Sequence, residues 1–74
     1  MKVGSIVRNI TSFSPSIYND WSYGQQTIGY LERDSVSIVL EIIVDSYNGQ
    51  DEIIAKVLNC QQIGWLKAKF LKEI

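Results

Sequence analysis

The chain consists of short stretches of β-branched and aromatic residues separated by turn-forming residues, a pattern typical of β-strands. The one long interruption, residues 11–26, is rich in serine, asparagine, glutamine and glycine, carries the sole proline, and is predicted to form a loop. Residues 61–74 are predicted to form a single turn followed by a short closing strand, because they are too few for a stable helix. The other strands are expected at residues 3–10, 27–32, 36–44 and 53–58.

The two central strands flank Asn48-Gly49, the dipeptide best suited to the positive φ angles of a two-residue hairpin turn. Counting outward from this turn sets the register and divides the hairpin into two faces. The face expected to form the core contains Leu40, Ile42, Val44, Ile53, Ala55 and Val57. Asp45 would lie opposite Glu52, a like-charge pair that a longer loop or a bulge would relieve.

The second face of the hairpin is unusually apolar for a strand surface that meets solvent. Its aliphatic residues are Val39, Ile43, Ile54 and Leu58. A patch of this size usually marks an interaction site, and a two-fold dimer would bury it twice. We therefore predict that these four residues mediate self-association into a homo-oligomer, in the simplest case a dimer. The alternative is that the long loop folds over them.

The composition restricts the classes of function. The 74 residues are expected to form one domain, residues 1–74, with a core small enough to need outside support. The net charge of −1 gives no general attraction to nucleic acid or anionic membranes. The chain has no histidine and one cysteine, Cys60, which is interpreted as a small buried residue at a strand end. We expect no enzymatic activity, no cofactor and no metal.

The same features predict where the protein acts. No apolar run approaches the roughly 20 residues of a membrane-spanning helix, and no secretory signal is recognisable after Met1. One unpaired thiol fits a reducing compartment, so a cytoplasmic location is expected. Gly24, Gly29 and Gly64 are interpreted as turn or bulge residues with positive φ.

Two segments resemble the Src-homology-3-like (SH3-like) small barrels, especially those of bacteria and phages. Val3-Gly4-Ser5-Ile6-Val7-Arg8 resembles their opening, and Gly64-Trp65-Leu66-Lys67-Ala68-Lys69-Phe70-Leu71 is similar to their closing motif. The resemblance implies an all-β fold, a five-stranded, partly open barrel with one short helical turn near the C-terminus. Lys67 replaces the motif proline of the peptide-binding members and Phe70 replaces their tyrosine, so the resemblance implies the fold and not a polyproline ligand.

The aromatic residues of the long loop are the candidate binding residues. Tyrosine and tryptophan offer stiff, amphipathic contact area and are enriched at binding hot spots. The predicted partner-binding residues are Tyr18, Trp21 and Tyr23 from the loop and Trp65 from the closing motif. The alternative is that loop aromatics, Phe13 and Trp21 among them, plug an open end of the barrel.

Three hypotheses for the function remain open. The first is a non-enzymatic protein-binding module, which the phage-type resemblance implies to be a phage or prophage accessory protein acting on a host or viral protein. The second is a structural subunit that assembles with itself through strand edges or the outer apolar face. The third is a weak nucleic-acid binder using Arg8, Lys67 and Lys69, whose binding would depend strongly on salt.

Overall fold

Seven antiparallel strands and one 3-10 turn form the regular structure in the computed structural model, which describes residues 1–21, 25–47 and 49–74. The sheet order is β3-β2-β6-β5-β4-β1-β7, and the sheet curves into a half-barrel whose open edges are β3 and β7. No helix in the described ranges has the length and apolar character needed to cross a membrane. The elements in chain order are β1 (Ile6–Asn9), β2 (Ser16–Tyr18), β3 (Thr27–Tyr30), β4 (Val36–Tyr47), β5 (Gln50–Asn59), β6 (Gln62–Lys67), the 3-10 turn (Ala68–Phe70) and β7 (Leu71–Glu73).

The all-β class and the short helical turn near the C-terminus are confirmed, but the predicted count of five strands is wrong. The two additional strands are β2, which lies inside the predicted long loop, and β6, which lies where the single turn before the closing strand was expected. β2 has only three residues, of which Ile17 alone is fully buried, so it is too short for its alternation to be recognised in the sequence. Its conformation depends on pairing with β3 and β6, a tertiary effect that often overrides local preference.

The central hairpin has the predicted register near its turn. Tyr47 lies opposite Gln50, and the pairing continues without a break to Glu41 opposite Lys56. Gly49 has a φ of 77°, as a two-residue hairpin turn requires. Asn48, the other predicted turn residue, lies outside the described residues.

Beyond Glu41 a β-bulge changes the register and corrects the predicted core. Leu40 is the extra residue on β4, so Val57 pairs with Val39 instead of Leu40. A shift of one residue moves a side chain to the opposite face of a sheet. Val39 is therefore buried and Leu40 is exposed, the reverse of the prediction.

The core lies on the concave side of the half-barrel. Of the six predicted core residues, Ala55 and Val57 are fully buried and Ile42 packs against the core, whereas Leu40, Val44 and Ile53 are exposed. Val44 and Ile53 lie near the hairpin tip, at the end of the 12-residue β4 that does not pair with β1. None of the core residues among the described side chains lies between them and the turn. The residues of the buried cluster are Val7, Ile17, Leu31, Val39, Ala55, Val57, Leu66 and Leu71.

A buried asparagine anchors the segment between β1 and β2, residues 10–15, which we call the first connection. The Asn9 side chain is fully buried, and its amide group donates hydrogen bonds to the carbonyl oxygens of Leu31 and Glu32, both at 3.1 Å. Its Oδ1 accepts from the backbone N–H of Thr11 at 3.0 Å and from the Thr11 hydroxyl at 2.6 Å. Both ends of the amide are satisfied, which offsets the cost of burying it.

A polar contact joins the edge strand β7 to the residues that precede β1. The Ser5 hydroxyl donates to Glu73 Oε1 at 2.7 Å, and the Met1 ammonium lies 3.2 Å from the same oxygen. These two groups, the hydroxyl first, hold the pKa of Glu73 below its ordinary value.

Candidate binding groove

The position of β2 depends on a close approach to β6. Tyr18 on β2 pairs with Trp65 on β6, and Gly64 is the residue that precedes Trp65 on β6. A Cβ at Gly64 would lie 2.1 Å from Ile17 Cγ2 and 2.9 Å from the Tyr18 carbonyl oxygen, so no other residue fits without displacing β2. Glycine is needed here for space and not for the positive φ that the sequence suggested.

A groove of about 270 Å³ lies between the first connection and the 3-10 turn. Two edge-to-face aromatic pairs contribute to its walls. The rings of Phe13 and Phe70 have centroids 5.4 Å apart at 83°, and those of Tyr18 and Trp21 are 5.3 Å apart at 75°. Such pairs contribute about 0.5–1.5 kcal/mol beyond the area they bury, so they stabilise the walls of the groove. The lining residues are Phe13, Pro15, Ser16, Tyr18, Trp21, Lys67 and Phe70.

Trp21 is held at both ends of its side chain. The indole ring contacts the ring of Tyr18, and the indole N–H donates a hydrogen bond to Asp45 Oδ2 at 3.1 Å. Tyr18 belongs to β2 and Asp45 to β4, and strands β6 and β5 lie between them in the sheet. The Tyr18–Trp21 pair therefore reaches across β6 and β5 on the outer face, the face on which Ile54 is fully buried.

Cations beside the groove compensate the like-charge pair that the sequence predicted. Asp45 does lie opposite Glu52, without the longer loop or bulge at that point. Glu52 instead receives Lys67 Nζ at 3.3 Å and Lys69 Nζ at 3.6 Å. Asp45 accepts a hydrogen bond from the indole N–H of Trp21, so both carboxylates of the like-charge pair have a stabilising partner.

Only two of the four predicted partner-binding residues line the groove in the part of the chain that the structure describes. Tyr18 and Trp21 line the groove and are half-buried. Trp65 is only 8% exposed, does not line the groove, and lies under the ammonium of Lys56, which is 5.8 Å from the ring centroid. Tyr23 lies outside the described residues.

The sequence did not single out Pro15, Lys67 or Phe70 as groove residues, and it interpreted Phe13 as a candidate plug. Phe13 is half exposed and packs against Phe70, so it does not fill the barrel end. These residues come from the two ends of the chain and meet only because the 3-10 turn brings Phe70 beside the first connection. The available signal was the closing motif, in which Lys67 and Phe70 occupy the motif positions of the peptide-binding members.

The four predicted self-association residues do not form one surface. Val39 lies in the core because of the bulge, and Ile54 is fully buried on the outer face. Ile43 and Leu58 remain half-buried on that face. Cys60, expected to be buried, is exposed in the turn between β5 and β6 with a φ of 55°.

Comparison with known proteins gave no match: no family model fits the sequence, and no curated protein or solved structure is significantly similar to it. The function therefore has to follow from the groove itself. Its distinguishing features are two preformed aromatic pairs and the ammonium group of Lys67.

Proposed function

We propose that this chain is a non-enzymatic protein-binding module that holds a short extended segment of its partner in the aromatic groove. The observation that carries the proposal is the pairing of four aromatic side chains around one groove, with Phe13 half exposed. Stiff aromatic side chains lose little conformational freedom on binding, which is why they dominate binding hot spots.

The size of the groove favours a peptide over a small molecule. Pockets for drug-sized ligands usually have volumes of about 300–1,000 Å³ and enclose the ligand, whereas this groove is smaller. Its volume suits one or two apolar side chains of a chain that continues beyond both ends. We infer that the ligand is extended, because an extended backbone presents side chains to a shallow groove and leaves its own polar groups accessible.

Lys67 adds a polar requirement at the edge of the groove. Its ammonium group has three donors and forms one ion pair, with Glu52. A ligand carboxylate or backbone carbonyl is the expected partner for the remaining donors. Lys69, whose Nζ is 5.6 Å from the Phe70 ring centroid, extends the positive side of the groove. The proposed ligand is thus an apolar segment with an acidic residue beside it.

The resemblance to Src-homology-3-like barrels supports the same proposal. Lys67 and Phe70 stand at the motif positions where the peptide-binding members carry proline and tyrosine, and both line the groove. The change to Lys67 is the reason to expect an acidic rather than a polyproline ligand. We extend the proposal to a phage or prophage accessory protein that acts in the cytoplasm on a host or viral protein, on the phage-type resemblance alone.

Nucleic acid is the weaker alternative. Both lysines beside the groove share the carboxylate of Glu52, so the positive charge available to phosphates is reduced. The net charge of the chain is −1, which opposes non-specific phosphate binding.

Selection from a displayed library of random peptides tests the proposal. We expect enriched peptides to combine an aromatic or aliphatic residue with a neighbouring Asp or Glu. Phe13→Ala should weaken a selected peptide by about tenfold or more, the usual effect of removing a hot-spot aromatic. Lys67→Gln should weaken binding less and should reduce its salt dependence.

Val36→Ala is the matched control, because Val36 is about as exposed as Phe13 and does not line the groove. Circular dichroism melting of each variant separates loss of binding from loss of folding. Selected peptides that bind Phe13→Ala and the wild-type protein equally well would rule out the groove as the binding site.

A further inference from the structure

The like-charge pair of Asp45 and Glu52 is a local conflict in the central hairpin. The two residues lie directly opposite each other on β4 and β5, an arrangement that destabilises a sheet. Both carboxylates also reach residues that line the groove. Asp45 Oδ2 accepts a hydrogen bond from Trp21, and Glu52 Oε1 forms an ion pair with Lys67. Conflicts between local preference and stability are typical of functional sites, so a role of this pair in the groove is expected.

The hairpin and the groove share one face of the sheet. Four residues on the adjacent strands β2, β6, β5 and β4 connect them: Tyr18, Lys67, Glu52 and Asp45. The cross-strand pairing puts all four side chains on the outer face, because directly paired residues and residues two apart on one strand project to the same side. Asp45 does not line the groove itself. The Trp21 indole connects it to the groove, since its ring contacts Tyr18 and its N–H donates to Asp45 at 3.1 Å.

The hydrogen bond to Asp45 also determines which part of Trp21 a ligand meets. An indole has a single N–H donor and no acceptor. Because Asp45 accepts from that donor, the indole offers the groove its ring surface. A ring surface suits an aliphatic or aromatic residue of the ligand, whereas the ammonium group of Lys67 suits an acidic one.

We propose that Asp45 is a positioning residue of the groove, which holds the Trp21 ring in the wall and makes the ligand position beside that ring selective for apolar residues. The inference rests on the proposed function, because it concerns the same groove. Asp45 acts through Trp21 and does not contact the ligand. Its repulsion with Glu52 opposes the stability of the hairpin, and the ion pairs of Glu52 with Lys67 and Lys69 reduce that repulsion.

A purely structural role for Asp45 makes a different prediction. In that case its removal would lower the melting temperature and leave the choice of ligand unchanged. For a positioning residue the change in stability is small, because the lost hydrogen bond and the lost repulsion with Glu52 have opposite signs and similar sizes. The effect on binding is confined to the ligand residue beside Trp21.

Selection of displayed random peptides on Asp45→Ala and on the wild-type protein tests the proposal with the full chain. Peptides selected on Asp45→Ala should admit Asn, Gln or Ser at the apolar position, because the Trp21 N–H is then free to donate. A peptide selected on the wild-type protein should bind this variant about fivefold more weakly. The melting temperature should stay within about 4 °C of the wild-type value, and the Trp21 indole N–H signal of the free protein should move in ¹⁵N NMR spectra. Asp45→Val removes the same acceptor and should do the same if Asp45→Ala fails to fold.

Asp51→Ala is the matched control, because Asp51 is an exposed carboxylate of the same hairpin that contacts Ser46 and does not line the groove. It should change neither the selected peptides nor their affinity. Asp45→Asn keeps an oxygen acceptor for the indole and should bind within about twofold of the wild-type protein.

The outcomes separate this inference from the proposed function. Equal selection and equal binding by the wild-type protein and Asp45→Ala would overturn the inference and leave the proposed function standing. Loss of folding in both Asp45→Ala and Asp45→Val would assign Asp45 a structural role and overturn it as well. A wild-type protein that selects no peptide would remove the proposed function, and this inference with it.

Discussion

Replacing Gly64 with alanine should destabilise the protein and displace β2. The new Cβ would lie 2.1 Å from Ile17 Cγ2, whereas carbon atoms in contact are usually about 3.5–4.0 Å apart. Ile17 is fully buried and β-branched, so its methyl group cannot move away by a simple rotation. The Tyr18 carbonyl oxygen, at 2.9 Å from the same Cβ, belongs to the backbone. Movement of β2 is therefore the only relief.

The cost is that of overpacking a core, about 1–3 kcal/mol. The lower entropy of the unfolded alanine chain offsets about 0.4–1 kcal/mol of this cost. A domain of 74 residues has a total stability of about 4–11 kcal/mol at 0.05–0.15 kcal/mol per residue. A net loss of about 1.3 kcal/mol at Gly64 would lower the melting temperature by roughly 5–10 °C. Urea unfolding measures the loss directly.

Gly29→Ala is the matched control, on β3, the other strand that pairs with β2. There the added Cβ would meet Gln62 Oε1 at 1.9 Å, the far end of a flexible and half-buried side chain that can turn away. We expect Gly29→Ala to cost less than 1 kcal/mol. Ile17→Leu removes the obstructing Cγ2 methyl and should recover part of the loss in a double variant with Gly64→Ala. Equal and small losses at the two glycines would refute the close approach of β2 to β6.

Three further predictions test the core, the buried amide and the sheet edge. Leu66→Ala should lower the free energy of unfolding by about 2–5 kcal/mol, because Leu66 is fully buried. Leu40→Ala, in the exposed bulge, should lower it by less than about 1 kcal/mol. Equal shifts of the urea midpoint for the two variants would instead place Leu40 in the core. Asn9→Asp puts a group that only accepts hydrogen bonds against the Leu31 and Glu32 carbonyl oxygens. It should lower the free energy of unfolding by about 2 kcal/mol or more at pH 7, and an unchanged melting temperature would contradict this expectation. Ser5→Ala should raise the pKa of Glu73 in a carboxyl carbon NMR titration. In the wild-type protein, the stabilisation due to Glu73 is present above its unfolded pKa near 4.5 and is lost as the pH falls through the lower folded value.

Local turn chemistry made the tip of the hairpin predictable. A two-residue turn at Asn48-Gly49 fixes the pairing from Tyr47 to Glu41 whatever the rest of the chain does. The bulge at Leu40 was not predictable in this way, because it follows from contacts with the start of the chain. The N–H of Gly4 donates to the Val39 carbonyl, and the N–H of Val39 donates to the Ser5 carbonyl.

The groove was predictable only in part, for a similar reason. Tyr18 and Trp21 stood out because aromatic residues are unusual in a polar loop, and both line the groove. The opposite wall comes from Phe13 and Phe70, which are 57 positions apart in the sequence and have no shared local pattern. Only the pairing of β2 with β6 and the 3-10 turn bring the two walls together.

NMR titration of the ¹⁵N-labelled protein with a selected acidic and apolar peptide is the most direct test of the proposed function. Binding in the groove predicts that the indole N–H of Trp21 and the backbone amides of Phe13, Tyr18 and Phe70 shift together, saturating at one dissociation constant. Amides of exposed residues that do not line the groove, such as Ile38 and Ile63, should stay in place. Shifts confined to such residues or to the β3 edge, with the Trp21 indole signal unmoved, would contradict the assignment of the groove as the binding site.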